Sequence, residues 1–447
     1  MKRMAAMMLA VSMLTVSLIG CGKQGETAGT EKEKTENTES AGSVDSTDSA
    51  GGKTVITIWG YAEQATTPMI ELYKKDHPDV EFNVVTVKAE DIIQKLQTTL
   101  TAGMEMPDIC LLELTQRGRL FELDCWENLE EAPYNYDPAL YFDFANTLST
   151  NSKGEIVSLQ WDFDSAGVAY KRNLAKQYFG TDDPQELAKI MPDWSSFVDE
   201  GKRILEESGG KVYMMPGMGD AAIIFRNQDS TPIVNGDEIN LTDTWGTVMQ
   251  QLVDFRDSGI VDKIAQWSPA WYASYALDNH IFYPCATWCV EANITPNDPE
   301  SDGRWGLMAT PSGNYTWGGG ALAICKDSKN KEAAWDFIRT ALLTKEGAQV
   351  SKDPIGYYSC LKEAYDDPAY VEWKPAAFGG QNIGELLFVQ APATLQAKPI
   401  TKYDHIISEI GEQMLLLLDN NPDMTMEEAL EQMKSEVAGR IPESTVK

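Results

Sequence analysis

Residues 53–447 are predicted to form an α/β protein built from parallel βαβ units, with helices covering both faces of a sheet. Three observations predict this. Short β-branched runs alternate with segments of helical spacing from residue 54 to residue 112. Pro78 and Gly103 punctuate that alternation where helices should stop. The chain has 447 residues, 43% of them hydrophobic and 23% charged, enough for two or three domains with cores of their own.

The elements follow in order. Thr54–Trp59 is a β-branched run closed by Gly60, a strand and its exit turn. Thr66–His77 carries Met69, Ile70 and Tyr73 on one helical face. Val80–Val87 is a second strand. Asp91–Ala102 is a second helix, with Ile92, Leu96 and Leu100 aligned. Pro107–Leu112 is a third strand and Gly167–Tyr170 a fourth. Helices are expected at 193–207, 331–343, 403–418 and 425–439, the last opening Thr425-Met-Glu-Glu428, a capping-box pattern. Ligands of open α/β sheets sit beyond the carboxyl ends of strands, which puts Trp59, Tyr61, Glu63 and Glu113 at one functional rim.

The first 52 residues are read as address and tether. Lys2 and Arg3 precede a 17-residue uncharged apolar run, Met4–Gly20, too short to favour a membrane span. It ends Leu18-Ile19-Gly20-Cys21, which resembles a bacterial lipobox, so 1–20 is expected to be a signal peptide and Cys21 the lipidated residue. Residues 22–52 hold little to bury and read as a disordered leash with a reach of ~30 Å. The expected location is the outer face of the cell membrane.

Charge removes several functions. Lys and Arg number 37 against 68 Asp and Glu, a net −31. Such a surface repels phosphate backbones and anionic lipid heads, so nucleic acid is excluded and the membrane is reached only through the lipid. The three histidines, His77, His280 and His405, are too scattered for a metal centre. Six cysteines remain after Cys21. Cys110 and Cys325 lie in apolar strand-like runs, and Cys285 with Cys289 is the pair spaced for a disulfide.

A set of ordered segments gives a resemblance. These are the opening strand ending in Trp59; Met106-Pro-Asp-Ile109; Gly154-Glu-Ile-Val-Ser-Leu-Gln-Trp-Asp162 leading to Gly167-Val-Ala-Tyr170; and Asp193-Trp-Ser-Ser-Phe197. Trp305-Gly306, Pro311, Trp317-Gly-Gly-Gly320 with Ala321-Leu-Ala-Ile-Cys325, Ser328–Trp335 and Thr425–Leu430 follow. With the lipobox in front, the chain resembles the family 1 extracellular solute-binding proteins, the sugar-binding lipoproteins of ABC importers. The resemblance implies a two-lobed periplasmic-binding-protein-like fold (type II) with the ligand cleft between lobes. Lobe 1 would be 53–162 plus 322–395, and lobe 2 would be 167–316 plus 400–447. Hinges would lie near 162–167, 316–322 and 395–400, where Gly318-Gly319-Gly320 supplies backbone freedom. The implied partners are a carbohydrate and the permease subunits. No cofactor is implied, and a monomer is expected.

A sugar offers flat C–H faces and a rim of hydroxyls, so aromatic plates and carboxylates should meet it. The candidate plates are Trp59, Tyr61, Trp161, Trp271, Trp288 and Trp317. The candidate hydroxyl partners are Glu63, Glu113, Asp162, Asp164 and Glu291, beside the backbone at Gly318. Trp126, Trp194, Trp335 and Trp373 are assigned to packing. Capture of a cationic solute is the alternative, since acids beside aromatics also suit cations. A tethered glycoside hydrolase rests only on the Asp162/Asp164 pair. No Ser-His-Asp order, P-loop or HExxH motif accompanies it, and a ligand-free adhesin is the remaining class.

Overall fold

A computed structural model describes residues 53–162, 164–390 and 395–447. The expected signal peptide, Cys21 and tether lie outside the described residues. The strands in chain order are β1 Val55–Gly60, β2 Glu81–Thr86, β3 Ile109–Glu113, β4 Leu159–Gln160, β5 Ser165–Lys171 and β6 Val234–Asn235. They continue with β7 Glu238–Ile239, β8 Phe282–Ala286, β9 Trp305–Met308, β10 Tyr315–Thr316, β11 Gly320–Ile324 and β12 Thr445–Val446.

Two main sheets result. The first runs β2-β1-β3-β11-β4, and the second has β5 at its centre, between β8 on one edge and β9 and β10 on the other. A small third sheet joins β12, β7 and β6. β5, β8 and β11 are buried along their whole length, as strands covered on both faces must be. β1 shows how the layers separate: Ile56 and Ile58 enter the main core, while Trp59 enters a second cluster with Ile92 and Leu96.

The βαβ expectation holds for β1, β2 and β3, which pair in parallel. It does not extend further. β11 runs antiparallel to β3 and β4, and β5 runs antiparallel to β8, β9 and β10. These strands arrive from distant parts of the chain, so no short helical crossover dictates their direction.

The chain leaves the first sheet after β4 and enters the second at β5, then returns between β10 and β11. One boundary is corrected. Residues 376–390, expected with lobe 1, pack on the second sheet. The Gln381 side chain accepts from Leu307 N (3.0 Å) and donates to Leu307 O (2.6 Å), and Gly303 N donates to Ala376 O (2.9 Å). A side-chain amide satisfying an edge residue's backbone fixes this segment more firmly than sequence position does.

Candidate ligand-binding site

The site begins where the chain crosses between sheets. Trp161 N donates to Gly320 O (2.9 Å), Gly320 N to the Asp162 carboxylate (2.9 Å), and Trp317 N to Asp164 O (2.9 Å), so the two crossing segments are zipped together. Arg117, fully buried, ties both to the first sheet. Its guanidinium donates to Leu112 O and Gly319 O (both 3.1 Å), to Leu148 O (2.9 Å) and to Gln160 Oε1 (2.7 Å). Gly318 and Gly319 hold φ of +112° and +135°, a region L side chains rarely adopt.

Asp162 and Asp164 are both buried in this crossing. Burial lifts each carboxyl above its ordinary range, and the negative charge of Asp162 lifts Asp164 further. Asp164 Oδ2 and Trp161 Nε1 are buried without a hydrogen-bond partner. Tyr61, half-buried beside Asp162, has its hydroxyl pushed up by burial first and then by that charge.

An indole cluster stands next to the crossing. Trp288 Nε1 donates to Trp317 O at 2.7 Å, and the two rings lie 4.7 Å apart. Trp267 stands 5.5 Å from Trp317 and 6.2 Å, nearly parallel, from Trp288. It is 46% exposed and holds φ of +67°, an uncommon conformation for a bulky residue. Behind it Trp271 is fully buried, its Nε1 bonded to Asp220 at 3.0 Å. Burial raises the Asp220 carboxyl to about 7, against the pull of the Trp271 and Gln266 donors.

Trp317 and Gly318 also line a cavity of about 300 Å³. Glu113 at the end of β3 and Thr115 in the helix that follows close one side. Arg226, Asn227 and Asp229 close it from the end of the Met218–Gln228 helix, and Lys398–Thr401 from the last crossing segment. Aromatic surface beside a few polar groups is the usual make-up of a small-molecule site.

The expected site residues therefore divide. Glu113, Trp317 and Gly318 line the cavity. Tyr61, Asp162 and Asp164 gather at the crossing, and Trp288 joins the indole cluster; Trp161 stands at the crossing too, but its ring is fully buried and does not act as the expected plate. Trp59 is a correction: it is 8% exposed, packed in the first sheet's second core, with Lys95 Nζ 4.3 Å from its ring centre. β1 ends at Gly60, between Trp59 and Tyr61, so the strand's alternation does not carry Tyr61 into the core that holds Trp59. Trp271 is a second correction, since a fully buried ring cannot plate a ligand; it supports Trp267 instead. Glu291 lies exposed on a separate depression with Trp373 and Lys374, apart from the cavity. Glu63 is exposed in the first turn of its helix, accepts from Thr86 Oγ1 (3.3 Å), and does not line the cavity.

Arg117, Asp220, Arg226, Trp267 and Lys398 were not foreseen. The local signal for Trp267 was Ser268-Pro269 after it, an N-cap and a Pro at the first helical position, which leave the preceding ring at a helix mouth. Cys285 and Cys289 remain thiols, as do the other four cysteines among the described residues.

Residues 68–378 match the family model described as bacterial extracellular solute-binding protein. A lactose-binding protein of Rhizobium radiobacter is 23% identical over 434 residues, spanning 86% of this chain and 93% of that one. An extracellular solute-binding protein family 1 structure superposes with a TM-score of 0.79 at 20% identity, over 87% of this chain and 100% of that one. The galacto-N-biose-/lacto-N-biose I-binding protein of a Bifidobacterium longum ABC transporter, solved with lacto-N-biose, gives 0.68 at 18% identity, over 89% and 100%. The fold is that of the two-lobed solute-binding proteins. With its family match spanning most of the chain, this protein belongs to the bacterial extracellular solute-binding proteins.

Proposed function

We propose that the protein captures a sugar or oligosaccharide outside the cytoplasm and delivers it to the permease of an ABC importer, without transforming it. The observation that carries this reading is the indole cluster in which half-exposed Trp267 stands over Trp288 and Trp317, with Trp317 also lining a cavity bounded by both sheets. Indole faces cover the C–H face of a pyranose, and the polar cavity wall suits its hydroxyls. The ligands of its relatives, lactose and lacto-N-biose among them, point the same way. Both Asp162 and Asp164 are buried in the crossing, and Asp162 serves the Gly320 backbone there, which supports a mechanical role over a hydrolytic one. Cys21 would carry the lipid that holds the protein at the membrane, with 22–52 as its leash.

Binding follows from a population shift between separated and closed lobes, in which ligand contacts from both sides favour closure. Tryptophan fluorescence titrated with neutral and acidic mono- and disaccharides tests the reading. A saturable change is expected, weakened ~10-fold or more by Trp288→Ala or Trp317→Ala. No response to any sugar, or unaltered affinity in both variants, refutes it. New reducing ends after incubation with the ligand would instead establish hydrolysis.

A further inference from the structure

Arg226 and Lys398 are the only Lys or Arg residues on the cavity wall among the described residues, in a chain with 31 excess negative charges. Each of the cavity's acids accepts at least one hydrogen bond from its own segment. Glu113 accepts from Thr115 N (2.8 Å). Asp404 accepts from Thr401 N (2.8 Å) and Thr401 Oγ1 (2.6 Å), and Asp229 Oδ1 from Thr231 N (2.9 Å). The cations are held loosely. Arg226 meets the Glu412 carboxylate only at 3.7 Å, and that Glu is largely exposed. Lys398 lies 3.6 Å from Asp229 Oδ2, which has no hydrogen bond, and donates at 3.3 Å to Arg226 O. These ion-pair separations exceed hydrogen-bonding range. Arg226 stands in the last helical turn, where a cation is favoured, with its guanidinium 5.7 Å from the centre of the Trp245 ring. Burial lowers both groups' proton affinity, the mark of charges short of solvent and of close partners.

We propose that Arg226 and Lys398 form an anion seat, so that the ligand is an acidic saccharide, carrying a carboxylate or a sulfate ester, oriented with that group between them. This rests on the sugar-capture reading and narrows it. The arrangement suits the charge: a guanidinium fork and an ammonium from different segments converge on one cavity in which Glu113 and Asp404 already accept hydrogen bonds from their own segments. The chain's overall negative field falls off within about 8 Å at physiological salt, so it does not prevent local recognition.

Titration calorimetry of the protein with glucuronate- and galacturonate-terminated disaccharides, their sulfated counterparts and their neutral parents tests this. A preference of about tenfold or more for an acidic member over its parent is expected, shrinking in Arg226→Gln and Lys398→Gln. Should Arg226→Gln fail to fold, Lys398→Gln and the comparison of ligands on the unaltered protein still decide. Which acidic partner binds tighter separates uronate from sulfated sugar. Neutral parents binding as tightly as both acidic forms would overturn the anion seat while leaving sugar capture intact. Absence of binding by every member would overturn both.

Discussion

Trp267 combines three properties that are seldom found together: a positive φ, a half-exposed indole, and three other indoles within reach. Holding a bulky residue there costs on the order of 1 kcal/mol, which the packing of Trp271 and Trp317 has to offset. Trp267→Gly relieves the backbone and deletes the ring. The expected result is a melting temperature within a few degrees of the unaltered protein, with sugar affinity weaker by about tenfold. A large loss of stability with unchanged affinity would make the ring purely structural. Asp220 behind it yields a pH dependence. Its folded carboxyl, raised to about 7 by burial, titrates well above the unfolded value of about 4. Between those pH values the native state keeps a proton that the unfolded state has released, so its contribution to stability falls as pH rises and levels off above 7. Asp220→Asn preserves an acceptor for Trp271 and removes the titration. Thermal melts from pH 5 to 8 should show a flatter profile in the variant, and parallel profiles would refute the assignment.

The crossing segments are where element geometry is least tolerant. A Cβ at Gly319 would stand 2.4 Å from Gln160 Nε2, the amide whose carbonyl oxygen receives Arg117, and φ there is +135°. Gly319→Ala therefore strains the backbone and displaces Gln160, at a cost of roughly 1–3 kcal/mol. Chemical denaturation should register that loss, and sugar affinity should fall with it, because the same turn sets Trp317. Arg117→Lys loses the fork that reaches four acceptors and should destabilise comparably, since buried carbonyls lose their donors. Much at this scale was legible beforehand. Gly103 marked a helix end, while the first helix runs Glu63–Lys74 and stops short of Pro78, and Thr425 and Asp193 cap their helices through boxes with Glu428 and Ser196. Less legible were the Leu114–Phe121 and Met218–Gln228 helices, whose start is set by the Glu113 carboxylate in one case and by tertiary packing in the other. Antiparallel pairing in the second sheet left no local trace either, because period-2 patterning is the same in both directions.

At the scale of the whole molecule, the site residues separate by what determines them. Trp288, Trp317 and Gly318 stand at strand ends and turns, which local sequence marks. Arg226 and Lys398 are 172 residues apart and meet only because the Met218–Gln228 helix and the last crossing segment face one cavity. No spacing rule encodes such a meeting, and a chain with 68 acids offers no reason to look for a cation pair. The same architecture fixes how the protein should move. Its two sheets are joined by crossings, one of which carries Gly318 and Gly319 at positive φ, whereas β5, β8 and β11 are buried throughout. Deformation therefore concentrates in the crossings, and each sheet moves as a unit. Small-angle scattering with and without a saturating sugar should give a smaller radius of gyration on binding, with unchanged far-ultraviolet dichroism. Gly319→Ala should reduce the contraction at equal saturation, because an alanine at that φ narrows the turn's range. An equal contraction in the variant would place the pivot elsewhere, and no contraction in either protein would mean the ligand enters a pair of lobes already closed.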